Sequence, residues 1–539
     1  MSSTHRERPS TLNAATNAVI SRPIGGMGHD LTRRSARWLL IVVLLVCTGG
    51  SIAYGLGGVM VLISALLLLR SLPDHRRAGL ALGVLVVAAY VVADKLFAYL
   101  GPTIRGIHVY PGELALILGV LLLIPYDTPL PRWRVARIWV ISLIAWGTLI
   151  LLLRWGSGSV LDSLRDFAFI YYFGFALFGF IVPWERTASS AMSAIASVFA
   201  LQFLYSVLAI LALIPPSIFG SYGSLLARQD VEGATLVGGA AFFLLADERL
   251  RLRRTARITM AAAELLLAVL TGSRAVLLAA VVIVVAILLS KRGHIARRAV
   301  PLLVAVVLLG ILGGVLTRNV NNEARGRVTL TTAVQRFVAT FGRSSAGGYA
   351  TANEAVGSAS WRLTWWRKLL QQNMERRDWL WVGRGFGGNL ATEAGLHLTP
   401  RFQTLRSPHS IFVDVLARLG LVGAVLYVGF LLSTATRSIR LIRDHNELGS
   451  TAAWMLAYWV ALLVVSLLGV VMESPFGAAP FYFLTGALFR LCAVSAEGNT
   501  FKASAHRTSQ TKGYSLAVDV PRSGARFSRR PIGRRPPDS

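Results

Sequence analysis

A histidine stands at the entrance of a long apolar segment, in the stretch RSPHSIFVDVLARLGLVG that runs from Arg406 to Gly423. An imidazole titrates near neutral pH, so His409 could act as a general base toward a hydroxyl group. The more common role of a single histidine is that of a hydrogen-bonded structural group. Asp414 and Arg418 follow four residues apart, which stacks them on one face of a helix. We interpret these two as an intramembrane ion pair that neutralises itself.

Two arginines elsewhere in the chain have the chemistry to bind an anion. Arg274 follows Gly272-Ser273 at one end of an apolar segment, and Arg362 lies within a tryptophan-rich stretch. A guanidinium group offers paired donors to a phosphate. The alternatives are anchoring at the membrane interface for Arg274, and for Arg362 an alkyl stem that covers aromatic rings while its charge reaches water.

The stretch around Arg362 predicts an amphipathic helix over residues 361–375. Its tryptophans suit stacking against sugar rings, and they equally suit anchoring at the membrane interface. Trp365 and Trp366 are therefore candidate substrate-binding residues with an open alternative. The expected apolar half of the helix comprises Trp361, Leu363, Trp365, Trp366, Leu369, Leu370 and Met374.

Arg384 lies in the glycine-rich stretch GRGFGG, residues 383–388, and is a third candidate substrate-binding residue. Such a stretch could present backbone N–H groups to a phosphate. Because no strand-then-helix pattern surrounds it, a plain tight loop is the more common explanation.

Several familiar catalytic motifs are absent from the sequence. It has no Gly-x-x-x-x-Gly-Lys-Ser/Thr motif, no Asp-x-Asp, and no His-x-x-x-His or Cys-x-x-Cys spacing. The two cysteines, Cys47 and Cys492, lie near opposite ends of the chain. We therefore expect no metal site, no cofactor and no ATP hydrolysis, so any chemistry would rest on arginines, histidines and carboxylates.

Composition defines the class of protein. Of 539 residues, 54% are hydrophobic and only 15% are charged. Many apolar runs of roughly 18–25 residues are each long enough to cross a bilayer core of about 30 Å. The formal net charge of +29 comes mostly from short loops and tails. That placement is typical of membrane orientation and of contact with membrane lipids, and it excludes nucleic acid as the expected partner.

The sequence thus predicts an all-α polytopic membrane protein with 12–14 transmembrane helices and both termini in the cytoplasm. Hairpin turns are expected near residues 55–57 and 271–274, because basic residues flank both ends of these two long apolar runs. The expected spans are 38–54, 57–70, 79–100, 109–125, 137–153, 166–183, 189–214, 233–246, 257–271, 274–290, 299–317, 409–432, 452–472 and 477–494.

The predicted spans divide the chain into five regions. The segment 318–408 is expected outside the membrane and is strongly basic, which suggests an anionic partner. The five regions are a basic cytoplasmic tail (1–37), a transmembrane bundle (38–317), a large extracytoplasmic loop (318–408), C-terminal transmembrane helices (409–494) and a disordered basic cytoplasmic tail (495–539).

Three motifs in order resemble the O-antigen ligase and O-antigen polymerase superfamily. They are TGSRAVLLAAVVIVVAILL, then SWRLTWWRKLL with WLWVGRGFGG, then HSIFVDVLARLGLVG, and together they cover residues 257–432. Ser410 stands where asparagine is common in that family, and Arg418 stands where an acidic residue is frequent.

The resemblance implies a GT-C-like helical bundle in the bacterial inner membrane, active in lipopolysaccharide or other cell-envelope polysaccharide biosynthesis. It implies an inverting glycosyltransferase that needs neither metal nor ATP, either a ligase or a polymerase. The donor would be a glycan on a polyprenyl (undecaprenyl) diphosphate, and the acceptor a hydroxyl of a glycan or lipid. By position, His409 maps onto the family's proposed base, and Arg274 and Arg362 map onto its diphosphate-binding arginines.

Two other classes of function stay open. A multi-span transporter could use acidic residues in or near the spans as an ion path, namely Asp94 beside Lys95, Glu113 and Glu264. A non-catalytic subunit of a polysaccharide export system would need neither His409 nor the two arginines.

Overall fold

The structure is a computed structural model, and it describes a defined part of the 539 residues. The described residues are 78–98, 100, 103–104, 107–108, 110–123, 134–155, 159–210, 229–246, 252–271, 273–289, 321–322, 326–327, 350–395, 406–444 and 448–514.

Helices make up almost all of the described chain, as predicted. In chain order they are α1 (Ala78–Ala98), α2 (Pro111–Leu123), α3 (Arg134–Leu153), α4 (Val160–Asp166), α5 (Ala168–Tyr171), α6 (Gly174–Ile181), α7 (Trp184–Ile210), α8 (Gln229–Leu245), α9 (Arg254–Leu270), α10 (Arg274–Leu289), α11 (Ala350–Glu375), α12 (Arg377–Val382), α13 (Leu390–Glu393), α14 (Ile411–Arg443), α15 (Leu448–Ser466) and α16 (Pro475–Tyr514). Two antiparallel pairs of two-residue strands join them: β1 (Thr103–Ile104) with β2 (Ile107–His108), and β3 (Asn321–Asn322) with β4 (Gly326–Arg327).

Five described helices are long and apolar enough to cross a membrane, and a sixth span results if the bent run of α4 to α6 is one crossing. The chain is therefore an all-α integral membrane protein. The predicted turn at 271–274 is confirmed, because α9 ends at Leu270 and α10 begins at Arg274. The predicted spans 38–54, 57–70 and 299–317 lie outside the described residues. The total of 12–14 spans therefore stays a prediction.

Helix α8 forms the centre of the bundle, and every residue from 231 to 246 is buried. Glycines allow its neighbours to approach closely. A Cβ atom at Gly238 would overlap the ring of Tyr458 on α15, and one at Gly239 would overlap the carboxylate of Glu264 on α9. Close packing of this kind is how membrane helices associate where the apolar surroundings give no hydrophobic driving force.

Two of the membrane helices are broken. The run from α4 to α6 bends by 45°. Helix α14 contains Gly420 with a φ of 67°, a conformation that interrupts the helix and that glycine adopts without steric strain. Such breaks are tolerated at membrane depth only where other groups satisfy the freed backbone atoms.

The last described helix extends into the predicted tail. Helix α16 continues to Tyr514, and a basic cytoplasmic tail over 495–539 stays a prediction. A helix already formed by a buried segment extends by one hydrogen bond per residue, and no proline follows before Pro521. Residues 515–539 lie outside the described part. The chain forms two compact units, Met1–Ala493 and Val494–Ser539, and the candidate site belongs to the first.

Candidate active site

His409 lies at the start of α14 in a conformation that restricts its ring. Its backbone φ is 58°, in the left-handed region, and its side chain is partly buried. The ring atom Nδ1 lies 2.9 Å from the carbonyl oxygen of Ser407. Because a carbonyl oxygen can only accept, Nδ1 carries the hydrogen and Nε2 is the basic nitrogen. This tautomer suits a general base whose Nε2 receives a proton.

The helix that begins after His409 is short before it breaks. We call residues 411–419 the short segment of α14. The break at Gly420 frees its last four carbonyl groups from helical hydrogen bonds, and groups outside α14 donate to all four. These bonds run from Asn373 Nδ2 to Leu416 O (3.3 Å), from Arg384 N to Ala417 O (2.9 Å), from Gly385 N to Arg418 O (3.0 Å) and from Trp146 Nε1 to Leu419 O (3.0 Å).

The glycine loop, residues 383–388, supplies two of these donors. Its backbone passes so close to α14 that a Cβ atom at Gly383 would lie 2.6 Å from Gly420 N. Gly387 N donates to Asp166 Oδ2 at 3.0 Å. Since four N–H groups of the loop already have protein partners, its contacts are those of a tight loop that holds α14.

Buried ion pairs hold the short segment of α14 against α4. Arg418 Nε lies 3.0 Å from Asp414 Oδ1, which confirms the predicted pair. Arg418 Nη1 also lies 2.9 Å from Asp166 Oδ2, a partner from α4 that the sequence did not indicate. The side chains of these three residues are between 1% and 7% exposed.

Arg406 ties the residues just before His409 to the same place. Its Nη2 lies 3.3 Å from Asp166 Oδ2 and 2.9 Å from Gly387 O. Its Nη1 lies 3.2 Å from Asp162 Oδ1. Segments on both sides of His409 are thus held through Asp166.

The connecting turn between α15 and α16, residues 467–474, gathers the predicted catalytic residues. Arg362 Nη1 donates to Leu468 O at 2.7 Å. The hydroxyl of Ser407, whose carbonyl accepts from His409, donates to Glu473 on this turn. His409 and Arg362 are therefore attached to one turn, although they come from different helices.

Arg274 approaches the same turn through its neighbour in sequence. Ser273 donates to the carboxylate of Asp230 on α8. A Cβ atom at Gly469 of the connecting turn would lie 3.2 Å from Asp230 Oδ2. The first residue of α10, Arg274, is thus placed at the same end of the bundle as Arg362 and His409.

The three candidate substrate-binding residues occupy different surroundings. Trp365 is fully buried beside His409, with ring centroids 6.4 Å apart, and donates to Leu390 O. Trp366 is partly buried and donates to Pro408 O at 2.7 Å, directly before the histidine.

Arg384 is 9% exposed, and burial lowers its pKa. It donates to four oxygen atoms of the protein: Asn373 Oδ1, Glu393 Oε2, Leu369 O and Gln372 Oε1. Arg384 thus holds α11 to the glycine loop.

The helix over residues 361–375 is confirmed as part of α11, but its buried face is rotated from the predicted one. Leu363 and Met374 are 57% and 64% exposed, whereas Asn373 is 2% exposed. The polar Asn373 is buried because it bonds to Leu416 O and Arg384, which composition alone does not reveal. Arg362 lies on the partly buried side, as predicted.

Sequence reasoning missed the acidic residues of the site. Asp166 and Asp162 precede an aromatic run without a motif, and Glu473 precedes Ser474-Pro475 in a short turn. A usable signal was present, since an acid beside a membrane span needs a basic partner, and Arg406 and Arg418 were available.

Of the carboxylates that suggested transport, Glu113 has hydrogen-bond partners, whereas the buried carboxyl oxygens of Glu264 have none among the described residues. Glu113 accepts from the hydroxyls of Tyr171 and Tyr172 at 2.5 Å and 3.3 Å. Glu264 lies against Gly239 in the centre of the bundle. In the described part of the chain, no group of three or more His, Cys, Asp or Glu side chains is placed to hold a metal ion.

Comparison with known protein families adds one finding. Residues 258–428 match the sequence model of the family described as O-antigen ligase. The match includes most of α9 and all of α10, α11, the glycine loop, His409 and the break at Gly420. No curated protein matches the chain. The chain is therefore similar to the O-antigen ligase family over residues 258–428.

Proposed function

We propose that the protein transfers a glycan from a polyprenyl diphosphate, undecaprenyl diphosphate in bacteria, to an acceptor hydroxyl at the outer face of the bacterial inner membrane. The observation that carries this proposal is the hydrogen bond of His409, which fixes the tautomer of its ring. Its Nδ1 donates to Ser407 O, which leaves Nε2 as the basic nitrogen. His409 lies within residues 258–428, which match the O-antigen ligase family. Both termini are cytoplasmic in this proposal, so the connecting turn and the glycine loop face outward.

The reaction follows from simple chemistry. His409 Nε2 takes the proton of the acceptor hydroxyl as that oxygen forms a bond to the anomeric carbon. The bond from the anomeric carbon to the diphosphate oxygen breaks, and the electron pair leaves with the polyprenyl diphosphate. A single displacement of this kind inverts the anomeric configuration, and no metal or ATP takes part in it.

Arg362 and Arg274 bind the diphosphate in this proposal. Negative charge increases on the diphosphate as the bond breaks, and fixed cations stabilise it. The bond from Arg362 Nη1 to Leu468 O supports this role because it fixes the guanidinium at the end of the bundle where His409 lies. Trp366 is only partly buried and bonds to Pro408, the residue before His409. It is therefore better placed than the buried Trp365 to contact a sugar ring.

Replacing His409 tests the proposal. We expect His409→Ala to abolish transfer in membranes while the protein is still inserted at wild-type amounts. His108→Ala is the matched control, because His108 lies in β2, far along the chain from the O-antigen ligase match. Normal transfer by His409→Ala contradicts the proposal and favours the non-catalytic export subunit.

The glycan pattern of cells that lack the protein separates the two reactions of the family. Loss of the ladder with single repeats retained indicates a polymerase. Full-length chains that stay on the lipid carrier indicate a ligase.

A further inference from the structure

We propose that Asp166 is a positioning residue for this transfer, an inference that rests on the proposed function. One oxygen of this carboxylate, Oδ2, accepts from three separate segments of the chain. The donors are Gly387 N at 3.0 Å, Arg418 Nη1 at 2.9 Å and Arg406 Nη2 at 3.3 Å. No motif or predicted role marks this residue in the sequence.

Asp166 is placed where two broken helices meet. It is the last residue of α4, at the point where the run from α4 to α6 bends by 45°. Arg418 lies two residues before Gly420, where α14 breaks. The ion pair between them therefore joins the bend in the run from α4 to α6 to the break in α14.

The three donors surround His409 in the chain. Arg406 lies three residues before it, and Arg418 lies at the end of the short segment that begins two residues after it. Gly387 belongs to the glycine loop, which caps that short segment. A shift of these donors would therefore move His409 from both sides.

The charge of Asp166 matters more than its shape. Two guanidinium groups approach the same oxygen atom, and the side chains of Arg418 and Arg406 are only 2% and 21% exposed. Like charges repel strongly where water is scarce. Without the negative charge between them, the two arginines would separate, and the segments that carry them would follow.

The first test compares Asp166→Asn with Asp444→Asn in purified protein in lipid vesicles. Asp444 is the matched control, because the same change there alters an exposed side chain at the far end of α14. The substrate is a labelled disaccharide on polyprenyl diphosphate. We expect Asp166→Asn to lower kcat about 100-fold and to change KM for the donor by less than about threefold, because a displaced base affects the reaction more than binding. The control should keep kcat within about threefold.

The second measurement does not depend on activity. Amide hydrogen exchange should become at least about tenfold faster in residues 383–388 and 406–410 of Asp166→Asn, because buried donors lose their acceptor charge. The double variant Asp166→Asn with Arg406→Gln removes one of the two repelling cations. It should recover part of the lost kcat.

Three results overturn the inference. These are an unchanged kcat in Asp166→Asn, faster exchange across the whole bundle rather than in the two segments, and no recovery in the double variant. Failure of the proposed function looks different. There, wild-type protein transfers no glycan or His409→Ala transfers normally, while the exchange pattern still tests the role of Asp166.

Discussion

Ser407 connects Glu473 to His409 through two different atoms. Its hydroxyl donates to a carboxyl oxygen of Glu473, and its carbonyl oxygen accepts from His409 Nδ1 at 2.9 Å. Burial raises the pKa of Glu473 to about 8, and the Asp414 carboxylate adds to the shift. The carboxyl group of the connecting turn thus holds the backbone that fixes the histidine ring.

The raised pKa of Glu473 predicts that stability depends on pH. In the folded protein Glu473 keeps its proton up to about pH 8, whereas in the unfolded chain it ionises near its ordinary pKa of 4.5. The folded state binds more protons between these values, so stability falls as pH rises through this window. We expect Glu473→Gln to lose less thermal stability than wild type between about pH 5 and about pH 9.

Glu375→Gln is the matched control for that measurement, since Glu375 is exposed on α11. It should follow the wild-type pH profile. Identical pH profiles for Glu473→Gln and wild type would contradict the role given to Glu473.

The close approach between the glycine loop and α14 predicts a large effect of one added carbon atom. A Cβ at Gly383 would lie 2.6 Å from Gly420 N, and the φ of 85° adds strain. We expect Gly383→Ala to lower the midpoint of thermal unfolding and to reduce transfer. Gly395→Ala isolates the strain, because Gly395 has a φ of 65° with no atom within 4 Å of the added Cβ.

Gly395→Ala should therefore lower the free energy of unfolding by only about 1 kcal/mol. Equal midpoints of thermal unfolding for the two variants would show that contact with α14 is unimportant.

The position of Arg362 predicts a selective loss of activity. We expect Arg362→Ala to lower kcat/KM about 100-fold, because a fixed cation near the leaving group stabilises the transition state. Arg362→Lys should recover only part of this activity, since an ammonium group lacks the paired donors. Arg367→Ala, an exposed arginine on the same helix, is the control and should transfer at the wild-type rate. Similar rates for the Arg362 and Arg367 variants would remove Arg362 from the diphosphate site.

The sequence was informative where one physical rule dominates. Apolar run length predicted the membrane helices, and a spacing of four predicted the pair of Asp414 and Arg418. It failed where long-range contacts decide the outcome. Asn373 is buried because it meets α14 and Arg384, and Asp166 gains its importance from two arginines more than 200 residues away. No local pattern contains such information.

The backbone of His409 has one more consequence. His409 has a left-handed backbone conformation. This conformation is strained for every residue type except glycine, and asparagine tolerates it better than most. A histidine there costs about 1–3 kcal/mol relative to an unstrained residue. Folding alone would therefore favour glycine or asparagine at position 409, so the imidazole is kept there at the expense of stability.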